Sequence, residues 1–150
     1  MTKAEDLIRE YIREGHMMQL ASVSGEQPWI CTLYFVADDE LNLYWASLPT
    51  RRHSQEITAH SSVAVAIPVQ FQQGKKVIGL QIEAKATQLT GADITPAAQL
   101  YAERFGRDAT WVDDIARGKT EHRMYRCTPE LIVLFDEQHF PHNTRIEWRP

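Results

Sequence analysis

The 150 residues, 43% apolar and 24% charged, have the size and composition of one globular domain that needs neither metal nor disulfide to hold its core. Sixteen basic against twenty acidic side chains leave a net charge of −4, which excludes general affinity for nucleic acid or an anionic membrane and confines any anion site to a local cluster. No apolar run approaches the roughly 20 residues of a membrane-spanning helix. The start, Met1-Thr2-Lys3-Ala4-Glu5-Asp6, has no signal-peptide pattern. Cys31 and Cys127 sit in strand-like apolar surroundings without a close His or Cys neighbour. They are expected to be free, buried thiols of a cytoplasmic protein, and no metal site is expected.

In chain order, Thr2-Lys3-Ala4-Glu5 has the form of a capping box, and Leu7, Ile8, Tyr11 and Ile12 recur at helical spacing until Gly15. An N-terminal helix over 1–15 follows. Strands are expected over Met17 to Val23, Trp29 to Val36 and Asn42 to Ser47, joined by turns at Ser24-Gly25-Glu26 and Asp38-Asp39-Glu40 as an antiparallel meander. Arg52 to Ala59 can form a short helix with Ile57 as its apolar contact. Val63 to Ile67 reads as a strand ended by Pro68. Val77 to Leu89 is the longest strand candidate, with Ile82, Ala84 and Ala86 alternating against Glu83, Lys85 and Thr87. The main barrel strands thus occupy 16–91.

A helical insert is expected over 95–117, opened by Thr95-Pro96 and interrupted at Gly106. Closing strands over 123–148 comprise Arg123 to Cys127, Leu131 to Asp136 and Arg145 to Trp148. Six or more short, mostly antiparallel strands with helices early and late give a mainly β fold, a small barrel with helical decoration.

The stretch from Leu43 to Ser54 is the most informative chemically. A strand ends in Tyr44-Trp45-Ala46-Ser47, and Thr50, Arg51, Arg52 and His53 follow at a helix start. Each component suits a phosphate. Guanidinium groups fork onto its oxygens, hydroxyls donate, and first-turn N–H groups with the helix dipole attract the same anion. Trp and Tyr residues at strand positions are expected to be mostly core, although Trp45 and Tyr34, with neighbouring strand backbone, could wall an aromatic ring system. On composition alone, two adjacent arginines are as readily a solvated turn.

This series, with Ile57 and Val63-Ala64-Val65-Ala66 after it, resembles the pyridoxamine 5′-phosphate oxidase family. Trp29-Ile30-Cys31-Thr32-Leu33-Tyr34 is similar to the family strand that runs along the flavin ring, and Leu80 to Thr90 to the long strand that follows. The resemblance spans roughly residues 16 to 148 and fits small, poorly characterised members best. It implies an FMN-binding split β-barrel and a homodimer with the cofactor between subunits. Cys31, Thr32, Leu33, Tyr34, Trp45, Ala46, Ser47, Thr50, Arg51, Arg52 and His53 become the candidate cofactor contacts. The family's basic pair falls on Arg51 and Arg52 if Thr50 is its hydroxyl residue, and on Arg52 and His53 if counted back from Ile57 and Val63. His53 adds charge there only when protonated; otherwise it is a polar residue of a first helical turn.

The departures narrow the reading. True oxidases carry an arginine and a lysine on the flavin-contacting strand, where this chain has apolar Trp29 or Cys31 and Tyr34 or Val36, so vitamin B6 oxidation is not expected. Haem-binding relatives use a C-terminal histidine, which makes haem, through His139 or His142, the lesser alternative. A non-enzymatic barrel is the other reading. No residue is assigned as catalytic, because Asp113, Asp114 and Glu137 are isolated acids and no hydrolase, P-loop or zinc motif occurs.

Overall fold

The computed structural model describes residues 1–150. Helix α1 (Lys3–Glu14) is capped by the expected reciprocal pair, with the Thr2 hydroxyl accepting from the Glu5 amide and the Glu5 carboxylate from the Thr2 amide. It buries Ala4, Ile8, Tyr11 and Ile12. Strands β1 (Met17–Val23), β2 (Pro28–Tyr34), β3 (Val36–Ala37) and β4 (Leu43–Ser47) precede helix α2 (Arg52–Ala59). After it come β5 (Ser62–Gln70), β6 (Ile78–Gln88), α3 (Ile94–Phe105), α4 (Ala109–Ala116), β7 (Arg123–Asp136) and β8 (Ile146–Trp148).

All pairings are antiparallel, and the hydrogen-bonded order is β2-β1-β5-β6-β7-β4-β3, with β8 added beside β7. The expected three-strand meander does not form, since β4 pairs with β7 (Trp45 opposite Tyr125) and not with β2. Leu41, at φ 68, turns the chain away, and the Asp38 carboxylate fixes that turn by accepting from the amides of Glu40 and Asn42 and from the Tyr44 hydroxyl.

Strands β2 and β3 end the order at opposite sides, yet only Phe35 separates them in sequence. The sheet must therefore curl until its two edges meet at Phe35, which is fully buried. Away from that point the edges diverge, giving a split barrel. Helix α2 packs against β1, β2 and β6, with Ile57 joining the barrel interior formed by Met18, Leu20, Leu43, Trp45, Val65, Leu80 and Ile82. Helices α3 and α4 cover the other face of β4 through Tyr101, Ala98 and Ile115.

Three local readings change. Strand β5 runs through Pro68, beyond its pairing with β1 (which ends at Ala66) and beside a register shift, so the missing N–H breaks no ladder bond there. Strand β7 is one 14-residue strand, not two, because a register shift opposite Glu83 and Ala84 absorbs Pro129. Helix α3 starts at Ile94, after a short 3-10 turn at Gly91–Asp93, and Thr95 does not cap it; Pro96 lies in the first turn, where its missing N–H is not needed. Gly15 does end α1, but in an extended conformation at φ −63. Glycine is required there for space, because a Cβ would lie 2.7 Å from the Phe35 ring.

Candidate functional site

Helix α2 follows β4 after residues 48–51, and the Arg52 side chain at its start lies over Trp29 of β2. Arg51 occupies the N-cap position, where no side chain caps the helix, and no acidic residue lies in the first turn. The amides at this end therefore keep their donor capacity, and the dipole is uncompensated. Thr50 and Arg51 are exposed. Arg52 lies with its guanidinium carbon 4.5 Å from the Trp29 ring centre and donates through Nε to the Glu56 carboxylate at 3.3 Å. Its Nη atoms make no hydrogen bond within the chain and remain available.

The rest of the predicted set divides. Ser47 and His53 are buried and bonded to each other at 2.9 Å. Burial, reinforced by the Arg51 charge, lowers the His53 pKa despite the opposing Glu56 carboxylate. Burial thus favours the neutral form of His53, whose side chain is turned inward to Ser47 and away from the exposed corner.

Trp45 does not wall a ligand surface; it is fully buried and stacked on Tyr125 at 5.6 Å. Ala46 faces the α3–α4 layer. On β2, Cys31 and Leu33 pack half-buried against the barrel interior. Thr32 and Tyr34 point to the outer face, where the Thr32 hydroxyl donates to Gln19 at 2.7 Å and Tyr34 tilts against Phe105. Both cysteines are free, with burial pushing Cys31 up to about 11 and the more enclosed Cys127 up to about 12.

Sequence reasoning missed Glu56 and Ser22. Glu56 is a buried carboxylate, 7% exposed, that also accepts from the Ser22 hydroxyl on β1 at 3.4 Å. The i,i+4 spacing of Arg52 and Glu56 was the available signal.

Clefts lie elsewhere, including one of 560 Å³ at the other end of α2, between residues 57–61 and 86–88. A 360 Å³ groove crosses the outer sheet face between Ala21, Ile30, Ala64, Leu131 and Val133, with Glu83 and Arg145 at its rim. A neighbouring 520 Å³ cleft runs under Phe71 and Val77 at the β5–β6 hairpin. None of these clefts borders Thr50, Arg51 or Arg52, and Thr50 and Arg51 are exposed.

The corner's donor set fits a phosphate monoester: uncapped first-turn amides, the Thr50 hydroxyl and two arginines. Beside it, β2 is a terminal strand with one edge unpaired along its length, which suits a planar heterocycle needing backbone donors and acceptors.

A second candidate group lies at the other end of the chain. The buried Asp136 carboxylate accepts from the Tyr11 hydroxyl at 2.6 Å, from His139 Nδ1 at 2.7 Å, and from the amides of Gln138 and His139. Burial raises the Asp136 pKa, but the bonds from Tyr11 and His139 outweigh it and hold the carboxyl below its ordinary value. His142 pairs separately with Glu137 at 2.9 Å. No group of three or more His, Cys, Asp or Glu side chains is arranged to hold a metal ion. No helix is long and apolar enough to cross a membrane.

Comparison with known proteins matches this architecture. A protein described as UPF0306 from Photorhabdus laumondii is 23% identical over 105 residues, 69% of this chain and 73% of its own. The structure of HutZ, described as the heme storage protein of Vibrio cholerae, superposes with a TM-score of 0.69 at 21% identity, over 90% of this chain and 95% of that one. A FAD-binding protein from Mesorhizobium loti gives 0.66 at 17% identity, over 88% and 92%. At these identities the two structures establish the split-barrel fold and nothing finer. The family model described as pyridoxamine 5′-phosphate oxidase matches residues 4–135, most of the sequence, and the chain belongs to that family.

Proposed function

We propose that the protein binds flavin mononucleotide as a homodimer and is a flavin-dependent oxidoreductase. The observation that carries this reading is the uncapped N-terminus of α2, with no acidic residue in its first turn, where the exposed Arg51 and the unbonded Nη atoms of Arg52 lie beside the open edge of β2. In this reading Arg51 and Arg52 form the basic pair, supported by the inward burial of His53 against Ser47. The phosphate would take the first-turn amides, the Thr50 hydroxyl and the two guanidinium groups, and β2 from Cys31 to Tyr34 would lie along the ring.

The flavin supplies the electron chemistry; the chain anchors the phosphate, orients the ring and presents backbone dipoles to it. A second protomer supplies the missing wall. The outer sheet face suits that partner, since Ile30, in the groove, is 61% exposed and Met17 and Tyr34, elsewhere on β1 and β2, are 42% and 56% exposed.

The haem reading keeps one specific support, in addition to the likeness to HutZ. Asp136 fixes Nδ1 of His139 and leaves Nε2 free on a side chain 31% exposed, the arrangement of an oriented metal-ligating imidazole.

Purification with quantified cofactor tests both. A yellow dimer with flavin absorbance, reducible by NADH or NADPH, supports the proposal. A Soret band lost on His139→Ala supports haem, and a colourless protein that takes up neither ligand overturns both.

A further inference from the structure

Glu56 stands out because a carboxylate buried to 7% exposure beside a proposed anion site should be unfavourable twice over, by desolvation and by repulsion of the ligand. Its contacts explain its presence. One oxygen takes the Arg52 Nε–H at 3.3 Å, and the other takes the Ser22 hydroxyl at 3.4 Å. Ser22 lies opposite Trp29 in the β1–β2 ladder, so the carboxylate, the hydroxyl and the indole share one side of the sheet beneath Arg52.

The guanidinium is thereby fixed in two ways. Glu56 holds its Nε side, and Trp29 holds its face at 4.5 Å. The edge left over is the pair of Nη atoms, which make no hydrogen bond within the chain. An unrestrained surface arginine samples many rotamers, and ordering it on binding reduces affinity. An arginine already clamped at Nε avoids that loss and presents its fork in one orientation.

We propose that Glu56 is a positioning residue for the phosphate site: anchored by Ser22, it clamps Arg52 over Trp29 so that the Nη edge faces the ligand's phosphate. This rests on the flavin mononucleotide reading above and adds to it a residue that touches no ligand. The alternative role is competitive. If Glu56 merely neutralises Arg52, its removal frees the guanidinium and tightens phosphate binding. The two roles predict opposite signs.

The test compares FMN with riboflavin, which lacks the phosphate, on wild-type protein and on Arg52→Ala, Glu56→Gln and the double variant. The Arg52 Nε–H NMR signal of the flavin-free protein is followed in parallel. The expected result is a protected Nε–H that is lost in Glu56→Gln, and FMN binding about tenfold weaker in that variant with riboflavin within about twofold. In the Arg52→Ala background, Glu56→Gln should add nothing further. Ser22→Ala, which spares the charge, should reproduce part of the loss and covers the case in which Glu56→Gln is poorly folded.

Tighter FMN binding in Glu56→Gln, equal losses for both flavins, or losses that add to those of Arg52→Ala overturn the positioning role while leaving the phosphate site intact. Wild-type protein that does not distinguish FMN from riboflavin overturns the site itself, and the positioning role with it.

Discussion

Replacing Arg52 with alanine probes the phosphate site at its most structured point. Only the Nη edge is free, because Nε is already bonded to Glu56, so at most two charge-assisted bonds to a phosphate are removed. Bonds to charged groups contribute about 1.5–3 kcal/mol. The side chain is 46% exposed, and water and salt will screen the interaction towards the lower end. The expected loss is therefore about 1.5–2 kcal/mol, roughly 13- to 30-fold in the FMN dissociation constant. Riboflavin should move by less than about twofold. Titration by flavin fluorescence quenching at two salt concentrations measures both ligands, and the Arg52 effect should shrink at the higher salt. Arg52→Lys should fall between, keeping the charge but losing the fork and the Nε bond to Glu56. An equal loss for FMN and riboflavin would refute the reasoning, because Arg52 would then be acting through the fold and not through the phosphate.

Two further outcomes concern the scaffold. The Asp136 carboxyl lies below its ordinary value in the folded chain, so its contribution is present above pH about 4 and is lost as pH falls through the folded value. Tyr11→Phe removes the 2.6 Å bond to that buried carboxylate. It should cost about 1.5–3 kcal/mol at neutral pH and move the acid-unfolding midpoint to higher pH, as followed by circular dichroism; an unchanged midpoint contradicts the assignment. Gly15→Ala places a Cβ 2.7 Å from Cζ of the buried Phe35 ring and 3.2 Å from the Tyr11 carbonyl. The overpacking cost of about 1–3 kcal/mol should exceed the gain of about 0.4–1 kcal/mol from a stiffer unfolded chain, giving a net loss in urea unfolding; a more stable variant would mean that Phe35 can move.

The local elements were legible in the sequence because their signals are local. Thr2 and Glu5 announced α1, Arg52 to Ala59 matched α2 residue for residue, and Gly106, at φ 69, ended α3 as expected. The order of strands was not legible. Pairing β4 with β7 joins segments about eighty positions apart, whereas a meander is the local default.

Trp45 shows why side-chain direction on this strand stayed open in the sequence. Strand β4 is covered on both faces, by the barrel interior over Leu43 and Trp45 and by α3–α4 over Tyr44 and Ala46. Alternation then carries no information about which face is which. Pro129 misled in another way, since a proline inside a strand reads as a break unless a bulge is known to be there. The anion corner was visible as residue types, but its selection was tertiary: burial removed His53 and Ser47 from the surface and left Arg51 and Arg52 outside.

The central claim is a phosphate seated on the N-terminus of α2. A crystal structure of the purified protein with FMN tests it most directly. The account predicts the phosphate within hydrogen-bond distance of the first-turn amides and the Arg52 Nη atoms, with the ring along β2 and a second protomer closing over it. A flavin phosphate bound away from residues 50–52, or no flavin bound at saturating concentration, would contradict it.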